Sequence, residues 1–149
     1  MASLACTPAI RATNNGECVE EFTYLAKIHN ILFYEKIKEL KKKLHGFHYS
    51  IFDFFGTATE KLNNPSKFGF KEVKSACCGT GPFRGINSCG GKRGGIANFE
   101  VCDNVGEYFF FDAGHLTESA YKQFAEQMWN GDSEIIKPYN LKSLFHLTV

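Results

Sequence analysis

Glu107-Tyr108-Phe109-Phe110-Phe111-Asp112-Ala113-Gly114-His115-Leu116-Thr117-Glu118-Ser119-Ala120-Tyr121 is the stretch that decides the fold. Its first five residues are nearly all apolar, which predicts a strand over 107–111 buried on both faces, as in a parallel sheet. Thr117 has the chemistry of a helix N-cap. Beyond it, Ala120, Tyr121, Phe124, Ala125 and Met128 recur on one side of a helix predicted over 118–130, which stops before Gly131. Between strand and helix lies Asp112-Ala113-Gly114-His115. Sites in open α/β sheets gather at the carboxyl ends of strands. An Asp and a His three apart on one tight turn can hydrogen-bond, the carboxylate accepting from one ring nitrogen. The other nitrogen is then left to act as general base toward a serine hydroxyl. Asp112 and His115 are therefore the candidate catalytic residues; the alternative is a solvated loop Asp beside a first-turn His.

Upstream, Phe22, Leu25, Ile28, Leu32, Ile37, Leu40 and Leu44 recur at mostly three- to four-residue spacing with no Gly or Pro between them. That predicts one helix over 18–44, about 40 Å long. Lys41, Lys42 and Lys43 suit its C-terminal dipole, and Gly46 is its stop. Aromatic and β-branched residues predict a strand over 47–52, and a short helix over 56–63 ends at Pro65. Residues 1–17 read as irregular, with a third strand possible around 3–6; 64–106 read as loop, and a tail follows Gly131. Helix, strand, helix, loop, strand, helix is an α/β order.

The chain has 149 residues, 44% of them hydrophobic and 22% charged, which fits one globular domain and excludes wholesale disorder. A net charge of +1 gives no electrostatic footprint for nucleic acid. Its apolar runs are too short for a membrane span. Phe is frequent, at 15 residues, so the core is expected to be aromatic. Six cysteines point to disulfides and an oxidising compartment. Cys6–Cys18 is expected as one bridge, and Cys77, Cys78, Cys89 and Cys102 as two more in one of three connectivities, a Cys77–Cys78 bridge being strained. A zinc site in this set is disfavoured because Cys-x-x-Cys spacing is absent. The Gly-rich runs Gly79–Gly81 and Gly90–Gly95 lack the Gly-Lys-Ser/Thr ending of a phosphate cradle.

Three stretches carry a family likeness: Cys6-Thr7-Pro8-Ala9 to Cys18; Asn64-Pro65-Ser66-Lys67-Phe68-Gly69-Phe70 to Ala76-Cys77-Cys78-Gly79-Thr80-Gly81; and Cys102-Asp103-Asn104-Val105 to Tyr121. Together they resemble the C-terminal half of plant GDSL esterase/lipases of the SGNH hydrolase superfamily. Arg84-Gly85-Ile86-Asn87-Ser88-Cys89-Gly90-Gly91-Lys92 is most similar to the defence-associated subgroup. The resemblance implies an α/β fold, specifically a partial flavodoxin-like three-layer α/β/α SGNH hydrolase fold lacking its N-terminal strands. Residues 1–149 would form the C-terminal portion of a single domain. It also implies secretion, an ester or lipid substrate and no cofactor. Asp112 would orient, and His115 would be the base of a Ser-His-Asp triad.

The family's nucleophile lies in a Gly-Asp-Ser-Leu motif and its oxyanion donors in Gly-x-Asn-Asp; neither segment occurs in these residues. Gly131-Asp132-Ser133 follows the last predicted helix and lacks the strand-to-helix elbow a nucleophile needs. The N-terminal residues have no charged and apolar regions of a signal peptide. The chain is thus expected to begin where the family's latter half begins, and to be inactive alone. Phe52, Phe109, Phe110, Phe111, Phe124 and Trp129 are expected to lose part of their cover. Association through an exposed sheet edge is expected, with a full-length relative among the partners.

Overall fold

The computed structural model describes residues 5–89 and 98–147; the Gly90–Gly95 run and residues 3 and 4 of the possible first strand lie outside them. Ala5 and Cys6 form a 3-10 turn rather than a strand. Residues 1–17 are not wholly irregular either: α1 spans Pro8–Thr13. Pro8 is preset for the first helical position, and the Thr7 side chain accepts from Ile10 N at 3.4 Å. Helix α2 spans Glu20–Lys43, with Glu20 and Glu21 in its first turn and the three lysines in its last, each complementing the helix dipole. Ala26 is its one buried residue.

β1, Ser50–Phe52, is shorter than expected. It leads into α3, Phe54–Asn63, whose cap is the Asp53 carboxylate accepting from Gly56 N at 2.9 Å. The segment expected to be loop holds a strand, β2, at Glu72–Ala76, and then β3 at Cys78–Gly79 and β4 at Glu100–Val101. β5 covers Tyr108–Phe110 and α4 covers Glu118–Asn130. Thr117 caps α4, its hydroxyl accepting from Ala120 N at 3.3 Å. The tail also carries order: β6 at Ile136–Pro138 and α5 at Leu141–Phe145.

β5 pairs with β2 in parallel, Glu72 opposite Tyr108 and Ala76 opposite Phe110. β1 pairs antiparallel with β6, and β3 antiparallel with β4. The two strands read from the sequence therefore lie in different small sheets. The mixed α/β arrangement agrees with a partial SGNH-type fold.

The core forms where β2, β5, α3 and α4 meet. Ala58, Phe70, Ala76, Phe109, Phe110, Leu116, Ala120 and Phe124 are its buried members. Phe109 meets Phe70 edge-on at 5.3 Å and Phe110 edge-on at 5.0 Å. Such T-shaped pairs put ring edges on ring faces and add to simple burial. Of the aromatic set expected to lose cover, Phe109, Phe110 and Phe124 keep it, Phe52 is half-buried, and Phe111 and Trp129 are exposed. Tyr121 and Ala125 also face outward, so the buried stripe of α4 is narrower than its sequence suggests. Lys61 is buried beside this core, donating to Gln123 Oε1 at 2.9 Å with its ammonium 4.0 Å from the Phe68 ring centre.

Candidate active site

β5 ends at the Asp112 turn, and the chain folds straight back on itself. Phe111 N donates to His115 O at 2.8 Å and Thr117 N to Phe109 O at 3.0 Å. The Thr117 hydroxyl donates to Tyr108 O at 2.7 Å. Strand, turn and helix cap are thereby one hydrogen-bonded unit, so the position of His115 follows from β5 and α4 together.

Inside that turn the Asp112 carboxylate is a hub. Its Oδ1 accepts from Gly114 N at 3.0 Å and from His115 N at 2.7 Å. His115 Nδ1 lies 2.8 Å from Oδ1 and 2.9 Å from Oδ2. Burial works to raise the Asp112 carboxyl, but the Gly114 amide, the His115 ring and amide, and the Ser88 hydroxyl outweigh it, holding it below the ordinary carboxylate range. The carboxylate is buried, whereas the His115 side chain is 73% exposed. Among the described residues no group hydrogen-bonds Nε2. The structure thus brings Asp112 and His115 together with one ring nitrogen bound and the other open. An imidazole oriented in this way can accept a proton at Nε2 while the carboxylate stabilises the imidazolium that forms.

Disulfides frame the turn. Cys6 pairs with Cys18, Cys77 with Cys102 and Cys78 with Cys89, which settles the connectivity that the sequence left open. Cys77 N donates to Phe110 O at 2.9 Å and Cys78 N to Phe111 O at 2.7 Å, extending the β2–β5 ladder to the edge of the site. All six sulfurs are committed to bridges and hold no thiolate for zinc. Gly131-Asp132-Ser133 runs from the C-terminal end of α4 toward β6, with the Asp132 carboxylate accepting from Glu134 N at 2.9 Å. It makes no strand-to-helix elbow.

Two neighbours of the site had no local sequence signal. Ser88, in the loop that Cys89 closes, contributes to holding the Asp112 carboxyl low. Ala9, in α1, donates its N–H to Ala113 O at 3.0 Å. Both lie in segments far from Asp112 in sequence, Ala9 within the Cys6–Cys18 loop and Ser88 beside Cys89.

The scaffold that carries this carboxylate–imidazole pair is a mixed α/β arrangement consistent with a partial SGNH-type fold. The chain belongs to the GDSL-like lipase/acylhydrolase family, whose model matches residues 1–128. It is 43% identical over 99% of its length to GDSL esterase/lipase 4 of Arabidopsis thaliana, and 47% identical over 95% to a GDSL lipase of Tanacetum cinerariifolium. It is 36% identical over 99% of its length to a protein named Inactive GDSL esterase/lipase-like protein 25, also of Arabidopsis thaliana. The chain spans 40%, 38% and 34% of these three relatives respectively. No described helix is long and apolar enough to cross a membrane.

Proposed function

We propose that these residues carry the acid–base half of a carboxylic-ester or lipid hydrolase. Asp112 fixes the His115 tautomer, and His115 Nε2 takes the proton of a serine hydroxyl as it attacks the ester carbonyl. His115 then returns that proton to the leaving alcohol. The nucleophile and the oxyanion donors come from the portion of the relatives that this chain does not span. The observation that carries this reading is the Nδ1 contact with both Asp112 oxygens, beside an Nε2 that no described residue engages. Three disulfides fit work in an oxidising compartment, such as the extracellular space.

The test is complementation. Alone, the chain is expected to leave p-nitrophenyl esters unhydrolysed, since removing both nucleophile and oxyanion hole removes covalent catalysis and its usual residual rate. Co-expressed with the remaining N-terminal portion of the Tanacetum relative, it is expected to give turnover that His115→Ala abolishes and Asp112→Asn lowers by up to about 10⁴-fold. Turnover by the chain alone that His115→Ala removes would assign the nucleophile to a serine within it.

A second reading is favoured by the exposed apolar face of α2, where Leu25, Ile31 and Leu32 are each at least 58% exposed. On that reading the chain is a non-catalytic binder of a full-length relative, in line with the inactive name that one relative carries. Binding without turnover in the same experiment selects it.

A further inference from the structure

The first turn of α1 exports one hydrogen bond, and its destination is the candidate site. A helix leaves its first N–H groups without intrahelical partners. In α1, Pro8 has no N–H, Ile10 N goes to Thr7 Oγ1 and Arg11 N goes to Thr7 O at 3.0 Å. That leaves Ala9 N, which donates to Ala113 O.

Ala113 O belongs to the same planar peptide as Gly114 N, which donates to Asp112 Oδ1. A peptide plane is rigid, so fixing the direction of its carbonyl fixes the direction of its N–H. The 113–114 peptide is held at one end by α1 and at the other by the Asp112 carboxylate. Rotating it to release Ala9 would swing the Gly114 N–H off Oδ1. The same oxygen receives the His115 ring, so the two ends of this peptide couple α1 to the imidazole.

Two features hold α1 against the turn. Gly85 is buried with its backbone against the Pro8–Ala9 peptide: a Cβ there would overlap the Pro8 carbonyl and come within 2.9 Å of Ala9 N. The Cys6–Cys18 bridge closes the segment that contains α1, and Arg11 Nη1 donates across it to Gly16 O at 2.6 Å.

We propose that Ala9 and Gly85 are positioning residues for the Asp112–His115 pair, acting through the 113–114 peptide. This rests on the reading of that pair as the acid–base site. Neither residue touches substrate; their effect is to keep Gly114 N on Asp112 and, through Asp112, to keep the His115 ring in its Nδ1–H tautomer.

The experiment is NMR on the disulfide-bonded 149-residue chain. In the unaltered protein a scalar coupling across the hydrogen bond from Ala9 ¹⁵N to the Ala113 carbonyl carbon is expected, and its absence overturns the proposal without any variant. Ala9→Pro deletes the donor at a first-turn position where proline is tolerated. Gly85→Ala displaces the donor from the other side. Each is expected to speed Gly114 amide exchange at least about tenfold, the rate change that loss of about 1.4 kcal/mol of protection gives. Each is also expected to raise the Asp112 titration midpoint and to mix the His115 ring tautomers. Displacement of α1, read from its own amides, with Gly114 exchange and the ring tautomer unchanged, overturns the proposal. Asp112→Asn separates the two layers. If it leaves the tautomer unmoved, the acid–base reading fails; if it moves the tautomer and Ala9→Pro does not, only the positioning role fails.

Discussion

Helix α2 and the β2–β5–α4 unit are both built from apolar-rich sequence and end in opposite states. Phe109, Phe110 and Phe124 are at most 2% exposed, each meeting other aromatic rings. Along α2, Phe22, Tyr24, Leu25, Ile31, Leu32 and Phe33 are between 42% and 65% exposed. Periodicity is satisfied in both, but among the described residues only the second region has most of its apolar face covered, whereas on α2 Ala26 alone is buried. Amphipathic patterning therefore reports that a face is made to be covered, not what covers it. Most helical stability in proteins comes from packing of that face, so the core unit is expected to hold itself together while α2 rests on propensity, its charge distribution and two exposed ion pairs, Lys36–Glu39 and Lys38–Glu35.

The sharpest way to break this contrast is to truncate one side chain in each region. Phe124→Ala empties a site bordered by Phe54, with ring centres 4.7 Å apart, and by Phe52 and Phe109. It is expected to cost about 3–5 kcal/mol in urea unfolding. Leu32→Ala on α2 is expected to change stability by less than about 0.5 kcal/mol. Equal losses would show that α2 is packed in solution.

Next in size is Asp112→Asn, which keeps the shape of the turn but weakens the charge-assisted bonds from Gly114 and His115. A loss of about 1–3 kcal/mol at neutral pH is expected. The sign with pH follows from the direction of the shift. Asp112 is held below its unfolded value, near 3.9, so its contribution is complete above that value and is lost as pH falls through the lower folded value. Stability of the unaltered chain should therefore drop more steeply in acid than that of Asp112→Asn. Parallel acid limbs in chemical unfolding would remove the carboxylate from the fold's accounts.

How much of this was readable in the residues depended on how local the cause was. The Thr117 cap, α4, α2 and the Asp112–His115 turn carry their signals within a few residues, and each stands where the sequence points. Thr7-Pro8 is an equally local N-cap and first-turn pair, so α1 was legible in principle. β2 was not: Glu72-Val73-Lys74-Ser75-Ala76 has one β-branched residue, and its strand state comes from pairing with β5. β6 was hidden by Pro138, which a strand tolerates only at an edge. Pairing among four cysteines is a choice that spacing does not make. The hydrogen bond from Ala9 to Ala113 joins segments far apart in sequence, which no local pattern announces.

A smaller effect tests the core side from a buried cation, Lys61. Desolvation pulls the Lys61 ammonium below the ordinary lysine value, with Glu60 opposing and Lys67 reinforcing. The folded state then disfavours the charged form. Below the lowered folded value the protein carries that penalty, and stability rises as pH climbs from there toward the unfolded value near 10.4. Lys61→Met should remove that alkaline rise. At neutral pH it should change stability by no more than about 1 kcal/mol, because the relief of desolvation offsets the lost bond to Gln123 and the contact with Phe68. A loss several times larger would mean that the ammonium contributes more through Phe68 and Gln123 than its burial costs.

The smallest expected change in folding free energy comes with the largest expected change in behaviour, and it lies on α2. Leu25 and Leu32 are seven residues apart, two turns on one face, and are 58% and 64% exposed. A contiguous apolar surface of this kind drives association when nothing covers it. The sequence points to a sheet edge as the associating surface, and the two-stranded sheets leave such edges; α2 offers a second surface. Exposed apolar side chains also stand at Phe111, Trp129 and Phe145, but the densest run of them is on α2. We therefore expect the isolated chain to be oligomeric or poorly soluble through α2. Leu25→Gln/Leu32→Gln should yield a monomer whose urea midpoint differs little from that of the parent at matched low concentration, since no packing is lost. Light scattering beside the unfolding curve reads both quantities. A parent chain that is already a monodisperse monomer with a cooperative melt would sink the expectation. The double variant should also fail to join the N-terminal portion of a relative if α2 is the face that portion covers, whereas His115→Ala should still join it and remain inactive. That pair of outcomes separates the surface that assembles the domain from the pair that acts within it.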